Sequence, residues 1–118
     1  MSRAAPLEVD ASREIDGAWV VALDGELVVT TEELVTLAVE EALAGGAERV
    51  ILDASRLDHV DMPGMALLQR LHLCCREAGA RLVVAGLPEA FREVAAVLVL
   101  DAVLPFADSV EAALAVRA

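Results

Sequence analysis

Four polar residues near the middle of the chain have side chains that can take part in chemistry: Asp53, Asp58, His59 and Asp61. A His-x-Asp spacing offers an imidazole nitrogen and a carboxylate to one metal ion. Metal-assisted hydrolysis at Asp53, His59 and Asp61 is therefore one hypothesis. A working site needs further ligands and a placed nucleophile, and the sequence offers neither. The simpler interpretation is that Asp53 and Asp61 accept backbone amide hydrogen bonds that hold a loop.

A second pair of potential metal ligands, His72 and Cys75, lies one helical turn apart. No further pair such as Cys-x-x-Cys exists to complete the four ligands of a zinc site, so buried structural thiols are the better interpretation. The neighbours Cys74 and Cys75 project about 100 degrees apart on a helix, which disfavours a bond between them and suits a reducing compartment. We therefore predict no metal and no other cofactor.

The elements that must position these residues alternate between strands and helices. Short apolar runs between turn signals predict strands over 7–12, 18–23, 49–53, 81–85 and 102–104. Amphipathic spacing predicts helices over about 30–44, 64–78, 88–98 and 108–114. Because the third apolar run ends at Asp53 and the segment 61–64 has the composition of a turn, we expect a loop at this strand-to-helix junction.

Short motifs mark where several helices begin and end. Thr30 with Glu33, and Asp108 with Glu111, match the capping box, in which two side chains satisfy the free amides at a helix start. Gly79 stands where a left-handed residue commonly closes a helix. These motifs place the first and last helix starts at Thr30 and Asp108.

The order of elements predicts the fold class. Asp16-Gly17 forms a hairpin-type turn, so the first two strands pair antiparallel. The later strands alternate with helices and are expected to be parallel, because a tight turn cannot close a parallel pair. We predict an α/β fold with a mixed sheet of four to five strands and about four helices packed against it.

Length and charge limit the possible functions. The 118 residues predict a single domain over 1–118, with a flexible N-terminus over 1–6. Nine basic and 20 acidic residues give a net charge of -11, which disfavours nucleic acid and anionic membranes and favours a basic patch on a protein partner. No apolar run approaches the roughly 20 residues that span a bilayer, and no signal peptide is evident. We expect a cytoplasmic protein without membrane insertion.

Several segments occur in a characteristic order along the chain: 20–27 (Val-Val-Ala-Leu-Asp-Gly-Glu-Leu), 50–55 (Val-Ile-Leu-Asp-Ala-Ser), 60–61, 64–68, 77–84, 104–106 and 109–114. In this order and spacing, the chain resembles the STAS domain family. That family occurs in anti-sigma factor antagonists and in the cytoplasmic tails of sulfate transporters. The resemblance covers most of the chain and implies the family's mixed α/β fold.

The resemblance also implies a partner surface, with one departure from the family pattern. Family members regulated by a kinase carry a serine directly after the aspartate of an Asp-Ser-Ser/Ala-Gly turn. The equivalent turn here is Asp61-Met62-Pro63-Gly64, and Met62 has no hydroxyl to accept a phosphate. The charge switch that phosphorylation installs at a helix N-terminus is therefore absent at this position.

The helix after this turn independently indicates a docking surface. Its core stripe is predicted to contain Leu67, Leu68, Leu71, Cys74, Cys75 and Ala78. Met65, Gln69, Leu73 and Arg76 then form an outer ridge with Met62 at its head, which puts three apolar side chains on an exposed surface. The alternative is a rotated helix that buries Leu73 and Met65. The predicted partner-binding residues are Asp61, Met62, Pro63, Gly64, Met65, Gln69, Leu73 and Arg76.

Three functional hypotheses follow. The first is a non-enzymatic regulatory module of bacterial transcription, similar to an anti-sigma factor antagonist, whose partner is an anti-sigma factor of the kinase-like type. The second is a STAS subunit that docks on the ATPase of a lipid ABC transporter. The third is the metal-assisted hydrolase of Asp53, His59 and Asp61. We favour the first, because the outer ridge and the family resemblance point to the same surface.

Overall fold

Strands begin the chain and then alternate with helices. The computed structural model describes residues 6–98, 100 and 103–115. The strands in this part of the chain are β1 (Leu7–Ile15), β2 (Ala18–Leu27), β3 (Arg49–Val60), β4 (Arg81–Ala85) and β5 (Phe106–Ala107). The helices are α1 (Glu32–Ala44), α2 (Met62–Glu77), α3 (Glu89–Val97) and α4 (Val110–Ala115). The predicted α/β class with a mixed sheet is confirmed.

The strands form one sheet in the order of the sequence, β1-β2-β3-β4-β5. β1 and β2 are antiparallel, and the remaining neighbours are parallel. Asp16 and Gly17 join β1 to β2 with φ values of 50° and 81°. Two successive residues in the left-handed region match the twist of a two-residue hairpin, so the predicted turn is confirmed.

Alternate side chains of the central strands point to opposite faces of the sheet, as the two-residue period of a strand requires. On one face, α1, α2 and α3 cover the main core, whose strand residues include Val21, Leu23, Val50, Leu52, Leu82 and Val84. On the other face, α4 packs against a smaller cluster that contains Ala18, Val20, Ile51 and Ala85. The main core therefore determines where α2 lies.

β3 is longer than the sequence predicts and replaces the expected loop. It continues from Arg49 to Val60 instead of ending at Asp53. Its first five residues pair with both β2 and β4, whereas 56–60 pair, among the described residues, with β2 alone. This second half buries every third residue and pairs through two irregular steps. A three-residue burial period lacks the alternation of a regular strand, which explains why the segment resembles a loop in sequence.

The predicted capping box at Thr30 and Glu33 is wrong, because α1 begins one residue later. Thr31 is the N-cap residue, and its side chain makes no capping hydrogen bond. Its buried hydroxyl instead donates to the Glu26 carbonyl at 2.7 Å and accepts from the Val28 amide at 3.0 Å. The side chain thus ties the end of β2 to the start of α1, a role that depends on the tertiary fold.

The end of the chain also differs from the prediction. Ser109, rather than Asp108, caps α4, since the Ser109 hydroxyl oxygen accepts from the Ala112 amide at 3.1 Å. Of the strand predicted over 102–104, residue 102 lies outside the described residues and 103–104 form a turn and a bend. The last strand among the described residues is β5, which begins two residues after the predicted strand ends and pairs two residues with β4.

Candidate functional site

The segment 61–64 is the N-cap and first turn of α2 rather than a free turn. Asp61 is the N-cap residue, and its Oδ1 atom accepts from the Gly64 amide at 2.7 Å. Pro63 occupies the first helical turn, where a missing N–H leaves no hydrogen bond unmade. The other Asp61 oxygen, Oδ2, accepts from the Val29 amide at 3.2 Å. One carboxylate therefore fixes both the start of α2 and the loop before α1, as predicted for a turn aspartate.

Gly64 brings the first turn of α2 directly onto the end of β2. A Cβ atom at this position would lie 2.2 Å from the Leu27 carbonyl oxygen, closer than real Cβ contacts. The same carbonyl accepts from the Asp61 amide at 3.2 Å. Because Gly64 is buried and Asp61 is committed to backbone amides, both are positioning residues of this surface. They orient the exposed side chains at the start of α2.

Met65 is the one predicted ridge residue that the structure places in the core. It is only 1% exposed, whereas Met62 is 58% and Leu73 46% exposed. The exposed line of α2 passes through Ala66 instead of Met65. The expectation for Met65 is therefore wrong. We define the docking ridge as the exposed residues on this line: Met62, Ala66, Gln69, Leu73 and Arg76.

The surface around the head of the docking ridge includes a residue that sequence reasoning missed. Val29, in the loop before α1, is 58% exposed, and its amide donates to Asp61. Pro63 is also exposed beside Met62. These three side chains make the start of α2 apolar on its outer side. No signal in the sequence connects Val29 to α2, because the contact spans more than thirty residues.

The inner side of α2 largely follows the prediction. Leu67, Leu68, Leu71 and Cys75 are buried, but Cys74 and Ala78 are exposed. Both cysteines are free thiols. Burial, and then the neighbouring Cys74, raise the pKa of the Cys75 thiol to about 11. Since the thiolate is the nucleophile and metal ligand, Cys75 is a core residue rather than a reactive one.

The two aspartates of the metal hypothesis, Asp53 and Asp61, bind different hydrogen-bond donors. The Asp53 Oδ1 atom accepts from the Ser55 amide at 3.1 Å and from the Ser55 hydroxyl at 2.7 Å. Asp61 caps α2, and His59 is exposed on β3. Within the described ranges, no group of three or more His, Cys, Asp or Glu side chains is placed to hold a metal ion. In this geometry, Asp53 and Asp61 accept hydrogen bonds that hold the local backbone.

The chain is thus a small α/β module with a mixed sheet and an exposed apolar ridge on the helix that follows β3. Residues 11–113 match the STAS domain, so the chain belongs to that family. No curated protein matches the sequence. None of the described helices is long and apolar enough to cross a bilayer.

Three solved structures illustrate the similarity of fold. An anti-sigma factor antagonist from Mycobacterium paratuberculosis has a TM-score of 0.83 at 19% identity, over 97% of this chain and 96% of that one. A sulfate transporter family protein from Wolinella succinogenes has a TM-score of 0.73 at 18% identity, over 86% and 84%. The phosphorylated form of the Bacillus cell fate determinant SpoIIAA has a TM-score of 0.67 at 20% identity, over 94% and 99%.

Proposed function

We propose that this protein is a non-enzymatic regulatory module that binds a protein partner through the docking ridge. The observation that carries the proposal is the outward exposure of Met62 and Leu73 on one line of α2. The fold does not need these side chains, because the inner side of α2 already completes the main core. Exposed apolar side chains on one helix face are typical of residues that become buried on association.

The partner that this proposal favours is an anti-sigma factor of the kinase-like type, which this protein would sequester in the cytoplasm. Support comes from membership of the STAS family and from the shared fold with an anti-sigma factor antagonist. Met62 directly follows the capping Asp61, where a phosphate would meet the N-terminus of α2. Because a thioether cannot accept phosphate, binding at this position is not switched off by a serine kinase.

The first test measures binding to the kinase-like anti-sigma factor encoded in the same genome. Met62→Glu and Leu73→Glu each place a charge on the ridge, and each should weaken binding at least about ten-fold, or about 1.4 kcal/mol. Leu37→Glu is the matched control, since Leu37 is 50% exposed on α1. If all three variants bind the partner as tightly as the wild type, the docking ridge is not the binding surface.

A second test concerns the missing switch. Met62→Ser restores a hydroxyl at the helix start, and Met62→Ala controls for the loss of the apolar contact. With labelled ATP and the partner, the serine variant should take up phosphate and lose binding, while the wild type keeps its affinity. Recovery of an ABC ATPase, and no binding to the kinase-like protein, would favour the transporter hypothesis instead.

A further inference from the structure

A pocket of about 270 Å³ lies between the C-terminal half of α2 and the start of β4. Its lining residues are His72, Arg76, Arg81, Leu82 and Pro105. Three of the five carry a cationic or protonatable group, and no carboxylate belongs to the described lining. A pocket whose described lining has basic side chains and no carboxylate stands out in a chain with nine basic and 20 acidic residues. A volume of about 270 Å³ is enough for a small ion with several waters.

His72 presents a hydrogen-bond donor to this pocket. Its Nδ1 atom is buried and has no hydrogen-bond partner among the described residues. A proton on Nδ1 would be an unpaired buried donor, so we assign the proton of the neutral ring to Nε2. The ring is partly exposed and lines the pocket. Nε2–H is therefore the donor available to a ligand.

Arg76 supplies the charge. It is exposed and forms no ion pair with a described carboxylate. Burial, and then the positive charge of Arg76, lower the pKa of His72. Both causes oppose protonation of the ring, and an anion beside Arg76 would reverse the second. Arg81 has an interaction of its own within the fold, so the inference depends on His72 and Arg76.

We propose that this pocket binds an oxyanion, the phosphate or carboxylate group of a small molecule, between the Arg76 guanidinium and the His72 ring. A guanidinium offers two parallel donors that match the oxygens of either group, and the imidazole adds a third donor. The net charge of -11 does not prevent anion binding here. Salt at 0.1 M largely screens repulsion from carboxylates more than about 10 Å away, whereas it screens direct contacts with the bound anion much less. The proposed anion site does not rest on the proposed partner binding, although Arg76 lines this pocket and also belongs to the docking ridge.

The experiment is a titration of the two histidines by NMR, with and without inorganic phosphate at matched ionic strength. Phosphate should raise the measured pKa of His72 by about 0.5 or more, because the imidazolium pairs with the bound anion. His59 is exposed on β3, away from the pocket, and serves as an internal reference in the same sample. A parallel titration with acetate distinguishes a general oxyanion site, which responds to both, from a phosphate site, which responds to phosphate alone.

Arg76→Gln should abolish the response of His72 to phosphate, and dispersed amide signals in the same spectra show that the variant is folded. Arg70→Gln is the matched control on α2, since Arg70 pairs with Glu32 at 2.8 Å and does not line the pocket. The proposal is overturned if neither anion moves His72, if His59 responds equally, or if the response survives in Arg76→Gln.

Discussion

At the scale of single residues, Asp61 shows how one side chain can prepare a surface without belonging to it. Its two oxygens accept from the amides of Gly64 and Val29, which belong to segments far apart in sequence. The carboxylate also lies at the positive end of α2, where a negative charge is favourable. Because Asp61 fixes the start of α2, it also fixes the position of Met62, the first residue of the helix, at the surface.

Asp61→Ala should destabilise the fold by about 1–2 kcal/mol, because the N-cap bond and the tie to Val29 are both lost. Asp61→Asn keeps an acceptor oxygen and should retain most of the stability. Urea unfolding measures both. If Asp61 acts as a cap, treatment with EDTA leaves the unfolding midpoint unchanged; a loss of stability on chelation would instead support the metal hypothesis.

At the scale of elements, α2 depends on its close approach to β2. Alanine is normally favoured over glycine in a helix by about 1 kcal/mol, so propensity alone predicts that Gly64→Ala is stabilising. The structure argues the opposite, because the new Cβ would meet the Leu27 carbonyl at 2.2 Å, and backbone cannot move aside cheaply. The steric clash should therefore outweigh the gain in helix propensity.

We expect Gly64→Ala to lower the free energy of unfolding by about 1–3 kcal/mol, the usual cost of overpacking. Ala66→Gly, on the exposed side of the same helix, reports the propensity effect without a clash and should cost about 1 kcal/mol. Chemical denaturation compares the two. A Gly64→Ala variant more stable than the wild type would show that α2 does not contact β2 as described.

At the scale of the whole molecule, charge is unevenly distributed. Glu8, Asp10, Asp24 and Asp53 line a pocket of about 430 Å³ between β1, β2 and β3, together with two arginines. Around the C-terminal half of α2, by contrast, His72, Arg76 and Arg81 gather in one pocket. The net charge of -11 suggests a basic partner, but it does not describe the chemistry of the surface around α2.

The pH dependence of stability should show a plateau between about 6.5 and 9. The lowered pKa of His72 means that the unfolded state binds its proton first as pH falls below 6.5, which favours unfolding. The raised pKa of Cys75 means that the unfolded thiol ionises first as pH rises above 9.0, with the same consequence. Thermal melts across this range measure the plateau. His72→Gln should flatten the decline in stability just below pH 6.5, and an unchanged slope there would show that His72 is not its cause.

The order of elements, the Asp16-Gly17 hairpin and the end of α2 near Gly79 could all be predicted from the sequence. These features depend on residues close together in the chain: left-handed positions that suit glycine, and apolar periods that suit a helix or strand. Local chemistry was enough for each of these features. Periodicity also proposed an outer ridge with Met62 and Leu73, but it left open a rotated helix that buries Leu73, and the structure shows both side chains exposed.

The length of β3, the burial of Met65 and the role of Thr31 could not be predicted, because they depend on contacts that form with the folded sheet. β3 continues to Val60 because β2 offers backbone partners, which no pattern within β3 shows. Met65 is buried because Gly64 lets α2 pack closely on the end of β2, and this turns the outer line onto Ala66. For β3 and Met65 the deciding contact joins residues that are distant in sequence, and its free energy exists only once the sheet has formed. The partners of Thr31 are only three and five residues away, at and just after the end of β2, and the sheet sets their position.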